Sequence, residues 1–114
     1  MGILDYFITP RGLIEYDPDE FDNARKVDGS VLIDVRTHTE YSHGHIEGSV
    51  LVPLNSLKDR LHSLEKDRAY LLVCATGHRS RAAAAIMLRN DFNKIAHLKG
   101  GMGAWRKSGN KISK

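Results

Sequence analysis

Four short apolar runs, each bracketed by polar turns, limit most tightly what this chain can fold into: Val31-Leu32-Ile33, Val50-Leu51-Val52, Tyr70-Leu71-Leu72-Val73 and Ile95-Ala96-His97-Leu98. They are rich in branched residues and lack a polar alternation, the pattern of strands buried on both faces. Helical patterns lie between them. Asp17 is placed to cap a helix that has Pro18 in its first turn, with Gly29 past its expected end. Thr37 and Glu40 have the spacing of a capping box. Leu54, Leu57, Leu61 and Leu64 recur at helical spacing and predict an amphipathic helix over about residues 55–64. The stretch from Arg79 to Asn90 contains Ala82 to Leu88, apolar nearly all round, and predicts a buried helix whose alanines allow close approach to strands. Strands alternating with helices give an α/β fold, a parallel sheet covered on both faces, whose sites form at the carboxyl ends of the strands.

Residues 1–114 fit one domain with a core of ordinary size. A formal charge of +3 and a pI near 9.1 suit small anionic partners. The basic residues are scattered, and the one tail cluster, Arg106, Lys107, Lys111 and Lys114, reads as a solvated end rather than a nucleic-acid site. The single cysteine, Cys74, excludes an intramolecular disulfide and a cysteine-based zinc site. The amino terminus has neither the basic region nor the apolar stretch of a signal peptide, and Tyr6 stands where myristoylation needs serine or threonine. No apolar run is long enough to span a membrane. A cytoplasmic protein with no membrane partner is the expectation.

A lone cysteine is more often a small core residue than a nucleophile. Here its surroundings argue otherwise. Cys74-Ala75-Thr76-Gly77-His78-Arg79 leaves a strand and enters the alanine-rich helix. Such a turn aims unpaired N–H groups and the positive end of the helix dipole into one small space. Gly77 supplies the freedom a concave turn requires, and His78, Arg79 and Arg81 add positive charge. That field favours thiolate over thiol, and would equally hold a terminal persulfide anion.

Cys74-Ala75-Thr76-Gly77-His78-Arg79-Ser80 resembles the active loop of single-domain rhodanese sulfurtransferases. Leu32-Ile33-Asp34-Val35-Arg36, with Glu40-Tyr41 and Gly44-His45-Ile46-Glu47-Gly48-Ser49, is similar to the family's upstream motif. Leu98-Lys99-Gly100-Gly101-Met102-Gly103-Ala104-Trp105 is similar to its downstream motif, and Ile8-Thr9-Pro10 extends the likeness to the start of the chain. Two departures stand outside the active loop: Glu47 where many relatives carry proline, and Gly12 in a segment usually helical. The resemblance implies a five-stranded parallel sheet with the cysteine strand central and the Asp34 strand beside it. It also implies transfer of sulfane sulfur from thiosulfate or another persulfide donor to cyanide or a thiol through a Cys74 persulfide.

In that chemistry the N–H groups from Ala75 to Arg79 form the anion cradle, and Thr76 can add a hydroxyl donor. Arg79 is either the charge partner of the anion or a structural arginine tying down the loop. His78 reads as a solvent-facing loop residue. Asp34 reads as a cap on its own turn, Arg36 as the partner of a nearby carboxylate, and Glu40 as accounted for by its capping box. His38, His43 and His45 lack the carboxylate pattern of a metal site; no metal or organic cofactor is called for. With no second cysteine, the persulfide acceptor must come from outside, and a sulfur-relay protein is one candidate. The rivals are a persulfide carrier, a non-catalytic interaction module of the same fold, and a phosphatase or arsenate reductase. Cell-cycle dual-specificity phosphatases look similar in fold but place the loop arginine six positions after the cysteine, where this chain has Ser80; Arg79 comes one residue earlier. The tighter ring suits a single sulfur atom rather than a tetrahedral phosphate.

Overall fold

The computed structural model describes residues 2–114. All four apolar runs are strands: β2 (Val31–Asp34), β3 (Val50–Leu51), β4 (Tyr70–Val73) and β5 (Ile95–Leu98). A further strand, β1 (Ile14–Tyr16), precedes them, and the five form one parallel sheet in the order β1-β5-β4-β2-β3. β4, which leads directly into Cys74, is central and β2 lies beside it. β1 carries no apolar run because it is a three-residue edge strand with Glu15 at its centre, half exposed along its length. Only pairing with β5 defines it.

The described residues also form a short 3-10 helix over Ile3–Tyr6 and the α-helices α1 (Pro18–Arg25), α2 (His38–Ser42), α3 (Leu54–Arg60), α4 (His78–Arg89) and α5 (Gly101–Lys107). The capping signals act as expected. Asp17 accepts from the Glu20 N–H at 2.8 Å while Glu20 accepts from the Asp17 N–H at 3.0 Å, and Thr37 and Glu40 reciprocate in the same way at the start of α2. The helix expected over about residues 55–64 is shorter. It tightens into a 3-10 turn over Leu61–Ser63, and Leu64 is already extended, with its N–H on the Leu61 carbonyl. The leucine spacing holds, but its last member packs from outside the helix.

Side chains alternate across the sheet and divide the core in two. Ile33, Leu72, Cys74 and Ile95 pack with Leu57, Ala83, Ala84 and Met87 of α3 and α4. Leu32, Leu71, Val73, Ala96 and Leu98 pack on the other face with Phe21 of α1 and Met102 and Trp105 of α5. Trp105 anchors α5, fully buried with its ring N–H donated to the Lys111 carbonyl at 3.0 Å. No helix among the described residues is long and apolar enough to cross a membrane.

Candidate active site

Cys74 leaves the end of β4, and its sulfur points to the face covered by α4. Gly77 turns the chain with φ +99° and becomes the N-cap of α4. That turn brings two backbone donors onto Sγ: the Gly77 N–H at 3.0 Å and the Ser80 N–H at 3.3 Å. The N–H groups of Ala75, Thr76, His78 and Arg79 meet no acceptor among the described residues. A second helix holds the loop from the far side. Met102 N–H donates to the Cys74 carbonyl at 2.8 Å and Gly103 N–H to the Ala75 carbonyl at 3.1 Å. A peptide's C=O and N–H point in opposite directions, so fixing these two carbonyls on α5 turns the Ala75 and Thr76 N–H groups away from α5.

Gly101 makes that contact possible. It sits at φ +59°, and a Cβ there would fall onto the Cys74 carbonyl oxygen and the Ala75 carbonyl group. Gly101→Ala is therefore expected to push α5 off the loop, costing about 1–3 kcal/mol. Thermal melts read the loss of stability, and labelling of Cys74 reads the disordered cradle. An unchanged melt and labelling rate would show that the close approach is unimportant.

Cys74 itself is 0% exposed and belongs to the core cluster under α4. It is thus both core residue and candidate nucleophile, because the loop amides close over the sulfur. Alongside the loop lies a cleft of about 400 Å³ lined by Arg36, Glu40, His43, Ala75, Gly103 and Arg106 among others. Its three cationic or titratable nitrogen side chains suit an anion approaching from the Ala75 side.

The remaining sequence candidates separate into contacts. Arg79 is tied to Glu40 by two parallel bonds, at 2.7 and 2.8 Å. The pair ties the first turn of α4 to α2. Glu40 does more than its capping box shows in sequence, since one carboxylate serves both the Thr37 cap and Arg79. The Arg79 hydrogen bonds, aided by the Thr37 N–H, hold the Glu40 pKa down at about 2, against the opposing effect of burial. With the folded pKa below the unfolded one, the pair stabilises the fold at neutral pH. That contribution drains away as pH falls from about 4.5 towards about 2. For a pair about one-third exposed it amounts to about 1 kcal/mol at most. Acid titration of the melting temperature in wild type and Glu40→Gln checks it: the two curves should converge below that window.

Asp34 and Arg36 form a buried pair. Asp34 accepts from the Arg36 backbone N–H at 3.0 Å and from its guanidinium at 2.8–3.1 Å, and the guanidinium also donates to the Gly44 carbonyl. Both therefore shape the β2–α2 turn, and neither touches the sulfur. His78 is exposed, with Nδ1 3.0 Å from the Thr76 hydroxyl and its ring against Phe7. His45 stacks on Tyr41 and bonds its carbonyl, and His43 bonds the Thr39 carbonyl. No group of three potential metal ligands occurs among the described residues.

Two residues beside the sulfur were absent from the sequence candidates. Ser80, fully buried, donates its N–H to Sγ and has its hydroxyl 3.6 Å from it. His97, also fully buried, meets that hydroxyl at 2.6 Å. The one signal in the sequence was a histidine inside an otherwise apolar strand.

Known proteins resemble this chain in sequence and in fold. The sequence profile of the rhodanese-like domain matches residues 17–108. A thiosulfate sulfurtransferase GlpE of Stutzerimonas stutzeri is 33% identical over 89 residues, covering 78% of this chain and 82% of that one. The probable adenylyltransferase/sulfurtransferase MoeZ of Mycobacterium tuberculosis is 38% identical over 102 residues, 88% of this chain but only 24% of that longer protein. Among solved structures, a rhodanese-like domain protein from Staphylococcus aureus superposes with a TM-score of 0.75 at 31% identity, covering 89% of this chain and 99% of that one. A rhodanese-related protein from Thermoplasma volcanium gives 0.79 at 27% identity, covering 88% and 97%. With the cysteine loop, the central strand and the sheet order all in place, the chain belongs to the rhodanese-like domain family.

Proposed function

We propose that this domain is a sulfurtransferase that carries sulfane sulfur as a persulfide on Cys74. The thiolate attacks the outer sulfur of thiosulfate, an S–S bond forms, and sulfite leaves with the electron pair of the bond that breaks. Sulfite needs no proton to depart at neutral pH, so no dedicated general acid is required. An external thiol or cyanide then attacks the outer sulfur and the Cys74 thiolate is the leaving group, a two-step covalent cycle. The observation that carries this reading is the placement of Sγ under two backbone N–H donors, with four more free donors in the same turn. The two N–H groups on the sulfur stabilise negative charge on it, and the free donors of the same turn are available to a second sulfur bound to it. Ala75, Thr76, Gly77, His78 and Arg79 contribute through their backbones, and Asp34 and Arg36 support the neighbouring turn. A reducing compartment, the cytoplasm, is the setting that keeps such a thiol available.

Cys74 has no exposed surface, so a donor reaches it only through a local opening of the site. Intact-protein mass spectrometry after incubation with thiosulfate tests the reading. The expected result is one added sulfur per chain with an equal amount of sulfite released, and loss of that sulfur to cyanide as thiocyanate. Hydrolysis of aryl phosphates without any sulfur uptake would overturn it.

The likeness to one stretch of the longer MoeZ protein favours a second reading, a carrier that receives sulfur from a persulfidated protein. Faster loading from such a donor than from thiosulfate would select it.

A further inference from the structure

On the core side of Cys74 runs a chain of hydrogen bonds that the sulfur-transfer scheme above does not use. Sγ lies 3.6 Å from Ser80 Oγ, Ser80 Oγ lies 2.6 Å from His97 Nδ1, and His97 Nε2 lies 2.9 Å from Glu15 Oε2. Cys74, Ser80 and His97 are all 0% exposed, while the Glu15 side chain keeps 29% of its surface. The chain therefore leads from a closed sulfur to a carboxylate in touch with solvent. Strand register builds it. Glu15 and His97 are direct partners across β1 and β5, and Leu72 is the partner of His97 on β4. Cys74, two residues beyond Leu72, projects from the same face as His97, and Ser80 in the first turn of α4 sits between them.

The donors and acceptors assign the protons. Glu15 is an ionised carboxylate, its pKa lowered by the hydrogen bond from His97 and by nearby Arg81 and Lys99, so it only accepts. Nε2 of His97 must then carry a proton. Burial lowers the ring's pKa while the Glu15 hydrogen bond and charge work the other way; with Nε2 protonated, the neutral ring has Nδ1 as its acceptor. The single Ser80 hydroxyl proton has two possible acceptors, Nδ1 at 2.6 Å and the Gly77 carbonyl at 3.1 Å, and the shorter contact takes it. Ser80 Oγ thereby turns a lone pair to the thiol. Every link points the same way: S–H to oxygen, O–H to nitrogen, N–H to carboxylate.

We propose that Ser80, His97 and Glu15 form a proton relay that draws the Cys74 proton inward and leaves the thiolate ready to attack. The S–H bond breaks and its proton joins Ser80 Oγ, while the original hydroxyl proton passes to His97 Nδ1. Sulfur keeps the electron pair, and nothing is oxidised or reduced. A neutral thiol and a neutral imidazole become a thiolate held by the Gly77 and Ser80 N–H groups and an imidazolium held by Glu15. His97 and Glu15 are positioning residues that act on sulfur only through Ser80. The charged and titratable groups around the ring are Glu15 on β1, Arg81 on α4 and Cys74 at the end of β4, with Lys99 beside Glu15. Arg81, 3.5 Å from the same Glu15 oxygen, opposes the imidazolium that Glu15 favours. The inference rests on the reading of Cys74 as the reacting thiol, but not on what the thiol reacts with.

The relay predicts a sign opposite to that of simple charge. As a point charge, Glu15 disfavours the thiolate, so Glu15→Gln would lower the pH at which Cys74 ionises. As the end of a relay, Glu15 stabilises the protonated ring, and its loss raises that pH. The test is the rate of Cys74 alkylation by iodoacetamide against pH in the full chain, for wild type, Glu15→Gln, Ser80→Ala and the double variant, each checked for fold by circular dichroism. Glu15→Gln is expected to move the midpoint up by about one pH unit, a roughly tenfold slower reaction below the midpoint, with the high-pH plateau unchanged. In the Ser80→Ala background, where the chain is already cut, the same change should have no effect or the opposite one. A midpoint that falls or stays in Glu15→Gln overturns the relay. So does a plateau lowered at every pH with the midpoint in place, which marks general damage. Sulfur uptake from thiosulfate is followed in the same samples. A shifted midpoint in a protein that never gains sulfur defeats the proposed function and leaves the relay standing; uptake without the shift does the reverse.

Discussion

Cys74→Ser is expected to give a folded protein that gains no sulfur from thiosulfate, where the wild type gains one atom per chain. Serine is close in size, and its hydroxyl oxygen can accept the Gly77 and Ser80 N–H groups that now point at Sγ. The core position under α4 stays filled and its polar neighbours stay satisfied, so folding should survive. Reactivity should not. A serine hydroxyl keeps its proton at neutral pH even in a ring of donors, and oxygen cannot form the S–S bond that stores the transferred atom. Mass spectrometry of the two proteins side by side makes the comparison. Sulfur retained on Cys74→Ser would move the chemistry away from the only cysteine in the chain. It would leave the cradle without a purpose.

The second large effect concerns stability. Asp34 is 0% exposed and Arg36 3%, and the carboxylate receives the guanidinium through three contacts as well as the Arg36 backbone N–H. Asp34→Ala leaves a buried guanidinium with the Gly44 carbonyl as its remaining partner among the described residues. Breaking a buried pair from one side costs about 3–5 kcal/mol, because the abandoned charge has lost its water as well as its partner. For a domain of ordinary stability, about 5–15 kcal/mol, that is a large fraction of the total. Urea denaturation of Asp34→Ala should show the loss. Removing both charges, in Asp34→Leu with Arg36→Met, should recover much of it, since apolar replacements carry no desolvation debt. A single variant as stable as wild type would mean that water reaches Arg36 freely. Sulfur uptake by the double variant then reports separately on whether the cationic end of Arg36 in the cleft beside Ala75 matters for an anionic donor.

Much of the fold was legible in advance because it depends on local chemistry. Branched, unalternated runs are strands wherever a sheet is covered on both faces, and β2, β3, β4 and β5 follow them. The caps at Asp17 and Thr37 act within four residues, so no distant partner can override them. β1 was not legible, since three residues with a glutamate in the middle become a strand only when β5 offers an edge. The end of α3 was misjudged for a related reason: leucine spacing records what packs on the core, not whether the last turn is α or 3-10.

The site divides along the same line. The sequence alone singled out Cys74 as a candidate, with the strand-to-helix turn that aims N–H groups at it and the glycine that lets the chain make that turn, because these are neighbours along the backbone and their geometry is local. Tertiary structure decided which donors reach the sulfur, that Arg79 is engaged by Glu40 across 39 residues, and that α5 pins the loop carbonyls. It also brought Glu15 and His97, separated by 82 residues, into one hydrogen bond leading to Ser80. No periodicity records which strand will lie beside which. That choice follows from how the whole apolar surface can be buried at once, and the chemistry behind Cys74 depends on it.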